Sequence, residues 1–207
     1  MNRSFSFLSL VAVLAIVLTT LAPAAFAQGL TVRGGMNFSK AITDPEPVLP
    51  SNRDYLRGYN AALLGELGQG PIRLILGAGY ENKGMHLTGA GGGDLQLNYM
   101  TVPVMLSIGR PSVNIESNLF LNLGVEPAFL LSSDYAMNTF AFQFDRAEDF
   151  DLNLRAELGL ELPLTYSGPA AVVGGAYTYA LTDADKSGNT WHNYAFNLFL
   201  GLKLRGS

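Results

Sequence analysis

The chain has 207 residues, a formal net charge of -4 and a pI near 5.1, and only 14% of its residues are charged against 48% hydrophobic. An acidic chain repels phosphate backbones, which excludes nucleic acid as the main partner; sparse charge with 11% aromatic residues excludes intrinsic disorder. With no cysteine it has no disulfide framework, thiolate metal site, cysteine nucleophile or acylated N-terminal cysteine.

Residues 1–27 read as an export leader. Arg3 supplies a positive start, Phe5 to Leu21 is apolar apart from serines and threonines, and Pro23 breaks the run. Ala25-Phe26-Ala27 then offers small side chains at the two positions a signal peptidase reads. The apolar run is short for a membrane-spanning helix, so an uncleaved anchor is the weaker reading. The predicted mature domain runs over 28–207.

Beyond Gln28 no apolar stretch is long enough for a transmembrane helix, and the pattern changes to period two. Leu30, Val32, Met36 and Phe38 alternate with Thr31, Arg33, Asn37 and Ser39, which predicts a strand over 30–39. Further strands are predicted over 57–67, 72–86, 95–108 and 115–132. The sixth, over 149–162, runs Leu152, Leu154, Ala156, Leu158, Leu160 and Leu162 against Asn153, Arg155, Glu157, Gly159 and Glu161. The seventh covers 170–181, where Gly174-Gly175 leaves the phase of Tyr177 and Tyr179 open to a bulge. The eighth covers 192–204, with Tyr194, Phe196, Leu198, Leu200, Leu202 and Leu204 on one face. Helical spacing would scatter these leucines around a cylinder.

Eight strands of this length, joined alternately by short and long connections, predict an eight-stranded antiparallel up-and-down transmembrane barrel of the OmpA/OmpX size. The short turns lie at 68–71, around Gly109-Arg110-Pro111 and at 163–169; the longer loops run over 40–56, 87–94, 133–148 and 182–191. Both termini would then be periplasmic. A soluble two-sheet sandwich is the competing architecture. Strand charges fall on the polar phase and predict a lumenal ion-pair network of Arg33, Glu66, Arg73, Glu81, Lys83, Glu126, Asp151, Arg155, Glu157, Glu161 and Lys203, with Arg57 assigned to the same phase. An eight-stranded lumen is just wide enough for side chains, and ionised groups there must pair.

Other motifs are weaker as chemistry. Asp183-x-Asp185-x-Ser187-Gly188 matches the first half of a calcium loop, but Tyr194 stands where the bidentate glutamate belongs, so an acidic loop is the plainer reading. Gly89-Ala90-Gly91-Gly92-Gly93 lacks the lysine and helix of a phosphate cradle. Glu157 and Glu161 share a face but stand about 13 Å apart along a strand, beyond the spacing of paired glycosidase carboxylates. His86 and His192, the only histidines, point outward near the rim by strand phase. A lipid A-modifying enzyme could use His192 with Ser132, Ser133 or Asp183. Tyr55, Tyr59, Tyr80, Tyr99, Phe129, Phe150, Trp191 and Tyr194 lie near strand ends, as girdle aromatics do.

Several stretches carry a family likeness: Gly34-Gly35-Met36-Asn37-Phe38-Ser39, Gly58-Tyr59-Asn60-Ala61, Gly79-Tyr80-Glu81-Asn82-Lys83-Gly84 and Leu97-Asn98-Tyr99-Met100-Thr101-Val102-Pro103. Together they resemble the PorT-type outer-membrane barrels of the Bacteroidota. The ending Leu204-Arg205-Gly206-Ser207 departs from the terminal aromatic of many such barrels. The resemblance implies a bacterial outer-membrane location and, for some members, a part in protein secretion; it implies no catalytic residue. The expectation is a monomeric, non-enzymatic barrel without cofactor, acting through loops or rim in envelope structure, secretion or adhesion. Its partners would be outer-membrane lipid, lipopolysaccharide and secreted or surface proteins. A small-solute channel, suggested by interior glycines Gly35, Gly77, Gly79, Gly124, Gly159 and Gly201, is the main alternative, and the lipid-modifying enzyme the second.

Overall fold

A computed structural model describes residues 29–44, 52–68, 70–88, 93–109, 117–137, 141–143, 147–165, 168–183 and 190–204. The leader reading of 1–27 lies outside these residues. The strands are β1 (Leu30–Asp44), β2 (Asn52–Leu67), β3 (Ile72–Thr88), β4 (Gly93–Thr101), β5 (Val104–Gly109), β6 (Asn118–Met137), β7 (Ala141–Gln143), β8 (Phe150–Pro163), β9 (Ala170–Ala180) and β10 (Thr190–Leu204). No helix occurs among the described residues.

All pairings are antiparallel, and β1 pairs both β2 and β10, so the sheet closes on itself. The wall has eight staves. β4 and β5 form one of them, interrupted at Val102-Pro103 because proline cannot donate to the ladder. The interruption is bridged by hydrogen bonds from Val102 N to Pro127 O (2.8 Å) and from Gly77 N to Pro103 O (3.2 Å). β7 pairs only with β6, as a flap on one long loop.

Following directly opposed residues once around the wall from Leu30, through Gly65, Leu76, Val104, Val125, Leu154, Tyr179 and Tyr194, returns to β1 at Lys40. That offset of ten residues tilts the strands by about 40° and leaves a bore that side chains can fill. The outward face is apolar: Val32, Met36, Leu63, Ile72, Leu106, Leu119, Leu158 and Leu200 are each about half exposed or more.

The strands run further than alternation alone predicts, and almost all of the extra length lies at the end bearing the long loops. β1 continues to Asp44, β2 starts at Asn52 and β6 continues to Met137. Above the apolar band neither face need be apolar, so the ladder continues where the pattern fades. Lys40 and Ser133 therefore lie in strands rather than loops. β5 ends at Gly109 and β6 begins at Asn118; 115 and 116, expected in the strand, lie outside the described residues. β9 pairs in continuous register with both neighbours, without a bulge at Gly174-Gly175, and Tyr177 and Tyr179 point outward.

Two irregularities do occur. Between Tyr55/Met85 and Asn60/Glu81, β2 spends one residue more than β3, and a second shift separates Asn98/Ser132 from Tyr99/Leu130. At the first, Gly84 has φ +149°, and a Cβ there would lie 1.8 Å from the carbonyl oxygen of Leu95. Ser39 fixes this point: its Oγ donates to Gly84 O (3.0 Å) and accepts from Gly84 N (2.8 Å).

Candidate functional site: the filled lumen and the outer rim

Inward-facing charge comes in two tiers. At the short-turn end, Lys203 Nζ bridges Glu161 Oε1 (2.6 Å) and Glu66 Oε2 (2.5 Å), and Arg73 donates to the same Glu66. Higher up, Arg33 grips Glu157 through both terminal nitrogens, at 2.5 and 2.9 Å. Arg155 joins Glu157 to Glu126, each at 2.6 Å, and Asn122 Nδ2 donates to Glu157 at 2.9 Å. Lys83 caps the column, with Nζ 3.0 Å from Glu81 and 3.8 Å from Glu126. Strand alternation makes this possible by placing every second residue of β1, β3, β6 and β8 on the axis.

The eleven residues assigned to the lumen from their phase all face inward, and all but partly covered Glu66 are buried. Asp151 accepts from Thr182 Oγ1 (2.8 Å) and forms no ion pair within 4 Å among the described residues. Arg57 is a correction: it is exposed on the outer wall. It stands nine residues from inward-facing Glu66, an odd number, so alternation itself puts it on the other face. Among the described residues the interior therefore holds five cations against six acids.

Level with Lys83 and beyond it, the interior changes character on β3, β4 and β6. Met85, Leu95, Leu97, Tyr99, Ala128 and Ala147 form one buried apolar cluster with Leu130 packed against it. Tyr99 and Leu97 are 0% and 1% exposed. On the outside at the same level the wall is polar: Tyr80 Oη donates to Asn98 Oδ1 (2.6 Å), Asn82 Nδ2 to the same atom (2.7 Å), and Asn98 Nδ2 to Ser132 Oγ (2.8 Å). On β3, β4 and β6 the wall is thus turned inside out at this level, while Asp151, Asn153 and Asn193 keep the β8 and β10 side of the interior polar. Tyr99, expected as a girdle aromatic, belongs to the interior.

Aromatic rings cover two of the interior glycines. The ring of Phe120 lies over Gly159, 2.4 Å from where a Cβ would stand, and Phe199 lies over Gly174 at 2.7 Å. These rings pack with Val172 and Ala176, and Arg33 sits 4.5 Å over the Phe199 ring. One void of about 30 Å³ is lined by Arg33, Glu66, Ser107, Asn122 and Glu161 among others, and one of about 10 Å³ lies beside Arg155. Neither holds more than a water or so.

The remaining candidates scatter. His192 faces outward and stacks on Tyr179 at 6.0 Å, while β8 and β9 separate its strand from Ser132 and Ser133, so the structure does not bring these together. His86 Nδ1 instead meets Asp94 Oδ1 at 2.5 Å across the β3–β4 hairpin, a pair the sequence reading missed. The two residues lie evenly about the glycine-rich turn, and that symmetry was the available signal. Of the calcium-loop residues, Asp183 follows β9, and Asp185 and Ser187 lie outside the described residues. Tyr55, Tyr59, Tyr80, Phe129, Phe150 and Tyr194 form outward contacts, including the stacked pair Tyr59–Tyr80 with centroids 5.5 Å apart.

A closed antiparallel tube with an apolar outer wall, an aromatic girdle and a charged core is an outer-membrane β-barrel. The sequence pattern of the outer membrane protein β-barrel domain family matches residues 26–186, and the chain belongs to that family. Its fold is similar to the Neisserial surface protein A, at 10% identity over 85% of this chain and 96% of that one, with a TM-score of 0.54. It is likewise similar to the outer membrane protein OprG of Pseudomonas aeruginosa, at 14% identity over 86% and 97%, with a TM-score of 0.52. No curated protein matches the sequence.

Proposed function

We propose that this outer-membrane barrel is a non-enzymatic, monomeric protein that acts through its extracellular loops and rim, in envelope structure, secretion or adhesion. The observation that carries the reading is the occupied lumen: salt bridges from Lys203 up to Lys83, then the apolar cluster around Leu97 and Tyr99. An axis so filled supports a lumen closed to solutes among the described residues, with the loops and the outer girdle as the surfaces for partners. A narrower kinship to the PorT-type barrels is supported by the places their shared stretches take: Gly84 and Ser39 lock the β1–β3 crossing, and Tyr99 fills the core.

The test has two parts. Refolded protein in a planar bilayer should be silent; stable, salt-dependent current steps would hand the lead to the small-solute channel. Replacing residues 138–146 by a glycine-serine linker of equal length should spare folding, because β6 and the buried Ala147 stay in place. The same replacement should abolish surface phenotypes, and if every one survives it, this loop is not the working surface.

A further inference from the structure

We infer that Lys40 and Arg57 form a phosphate-binding site on the outer wall for a phosphorylated glycolipid of the outer leaflet. The inference rests on the barrel's placement in that membrane and goes beyond the loop reading.

The two cations stand on neighbouring strands. Phe38 is directly opposite Arg57 and Lys40 lies two residues further along β1, so Lys40 and Arg57 are diagonal neighbours about 7 Å apart at the backbone. Both belong to the outward phase, and Arg57 is exposed. Lys40 Nζ lies 5.7 Å over the Tyr55 ring, which holds its charge against the wall. Neither forms an ion pair among the described residues. Asp54, three residues beyond Arg57 toward the loop and opposite His86, is exposed and pairs with neither cation.

Their height selects the occupant. Lys40 is ten residues above Leu30 on a strand tilted by about 40°, hence about 25 Å up. That is the height of the apolar band of such barrels, so both charges sit where acyl chains end and headgroups begin. An outward arginine is costly at the midplane and costs little or nothing at the interface. A guanidinium and an ammonium side by side there, unpaired by carboxylates, complement a phosphate monoester carried by a lipid. The exposed Tyr59, stacked on Tyr80, adjoins them on the same face, with the Asn98–Ser132 hydrogen bond beyond. These rings and polar groups suit the sugar that bears the phosphate.

The test measures binding of bisphosphorylated lipid A, and of the same lipid dephosphorylated, to the refolded protein in detergent micelles. Wild type should prefer the phosphorylated lipid. Replacing Lys40→Gln and Arg57→Gln together should weaken binding by about tenfold or more, since one charge-assisted contact is worth roughly a factor of ten. Arg57→Lys should retain most of it. Folding is checked by heat-modifiable migration, and the lipid comparison on wild type does not depend on any variant. Equal binding of the two lipids overturns the site, as does undiminished binding by the folded double variant. Displacement by millimolar inorganic phosphate would show a free-anion site instead and overturn the lipid assignment. Replacing 138–146 by that linker leaves both residues in place, so the loop reading and this one fail separately.

Discussion

The lower and upper parts of this barrel use the same alternation to opposite ends. Below, β1 and β8 turn Arg33, Arg155 and Glu157 inward and leucines out to lipid. Above, β4 turns Leu95, Leu97 and Tyr99 inward while Gln96 and Asn98 face out. The period is the same, and what changes is the solvent outside. In lipid the apolar face has to point outward, which leaves polar side chains to fill the bore and obliges them to pair. Where the wall clears the hydrocarbon it behaves like a soluble sheet and buries its apolar face inside.

Three substitutions break or sharpen this contrast. The largest effect is expected from Glu157→Ala, which strands Arg33 and Arg155 in the lower interior. It should cost about 3–5 kcal/mol, read from urea unfolding in lipid vesicles by tryptophan fluorescence. A cost below 1 kcal/mol would mean water enters the lower lumen freely. Next, Leu97→Ala in the upper cluster should cost about 3 kcal/mol by leaving a cavity, with the salt bridges beneath intact. Unlike Glu157→Ala, its cost should not vary between low and high salt, and a marked salt dependence would tie the two tiers together. The smallest is Gly159→Ala, where the added methyl meets the Phe120 ring; about 1–3 kcal/mol is expected from overpacking. No change there would show the ring free to move and the bore looser than described.

The same contrast explains what was legible in the sequence. β8 and β10 alternate strictly within the band, so their phase, and the inward set from Arg33 to Lys203, could be read residue by residue. Alternation says that a strand has two faces, not which one meets lipid. Leu95 and Leu97 read equally well as lipid-facing until their height above the band is known. The apolar cluster was illegible for that reason, and it draws on β3, β4 and β6 at once with Ala147 from the loop. Arg57 was legible and misread: its phase relative to Glu66 was available, and its charge was weighed above it. The His86–Asp94 contact needed the register of one hairpin, which depends on turn length.

The offset of ten residues around eight staves has a consequence for how such a chain can diverge. Two whole numbers set the width of the tube, and neither depends on any particular side chain. Along the wall, one leucine is as good as another, and drift there is nearly free. Along the axis, Glu157 cannot change without both arginines that hold it, nor Glu66 without Arg73 and Lys203. Descendants of this barrel should therefore keep their girth while exchanging interior charges in linked groups, and the memory of ancestry should persist longest in those groups.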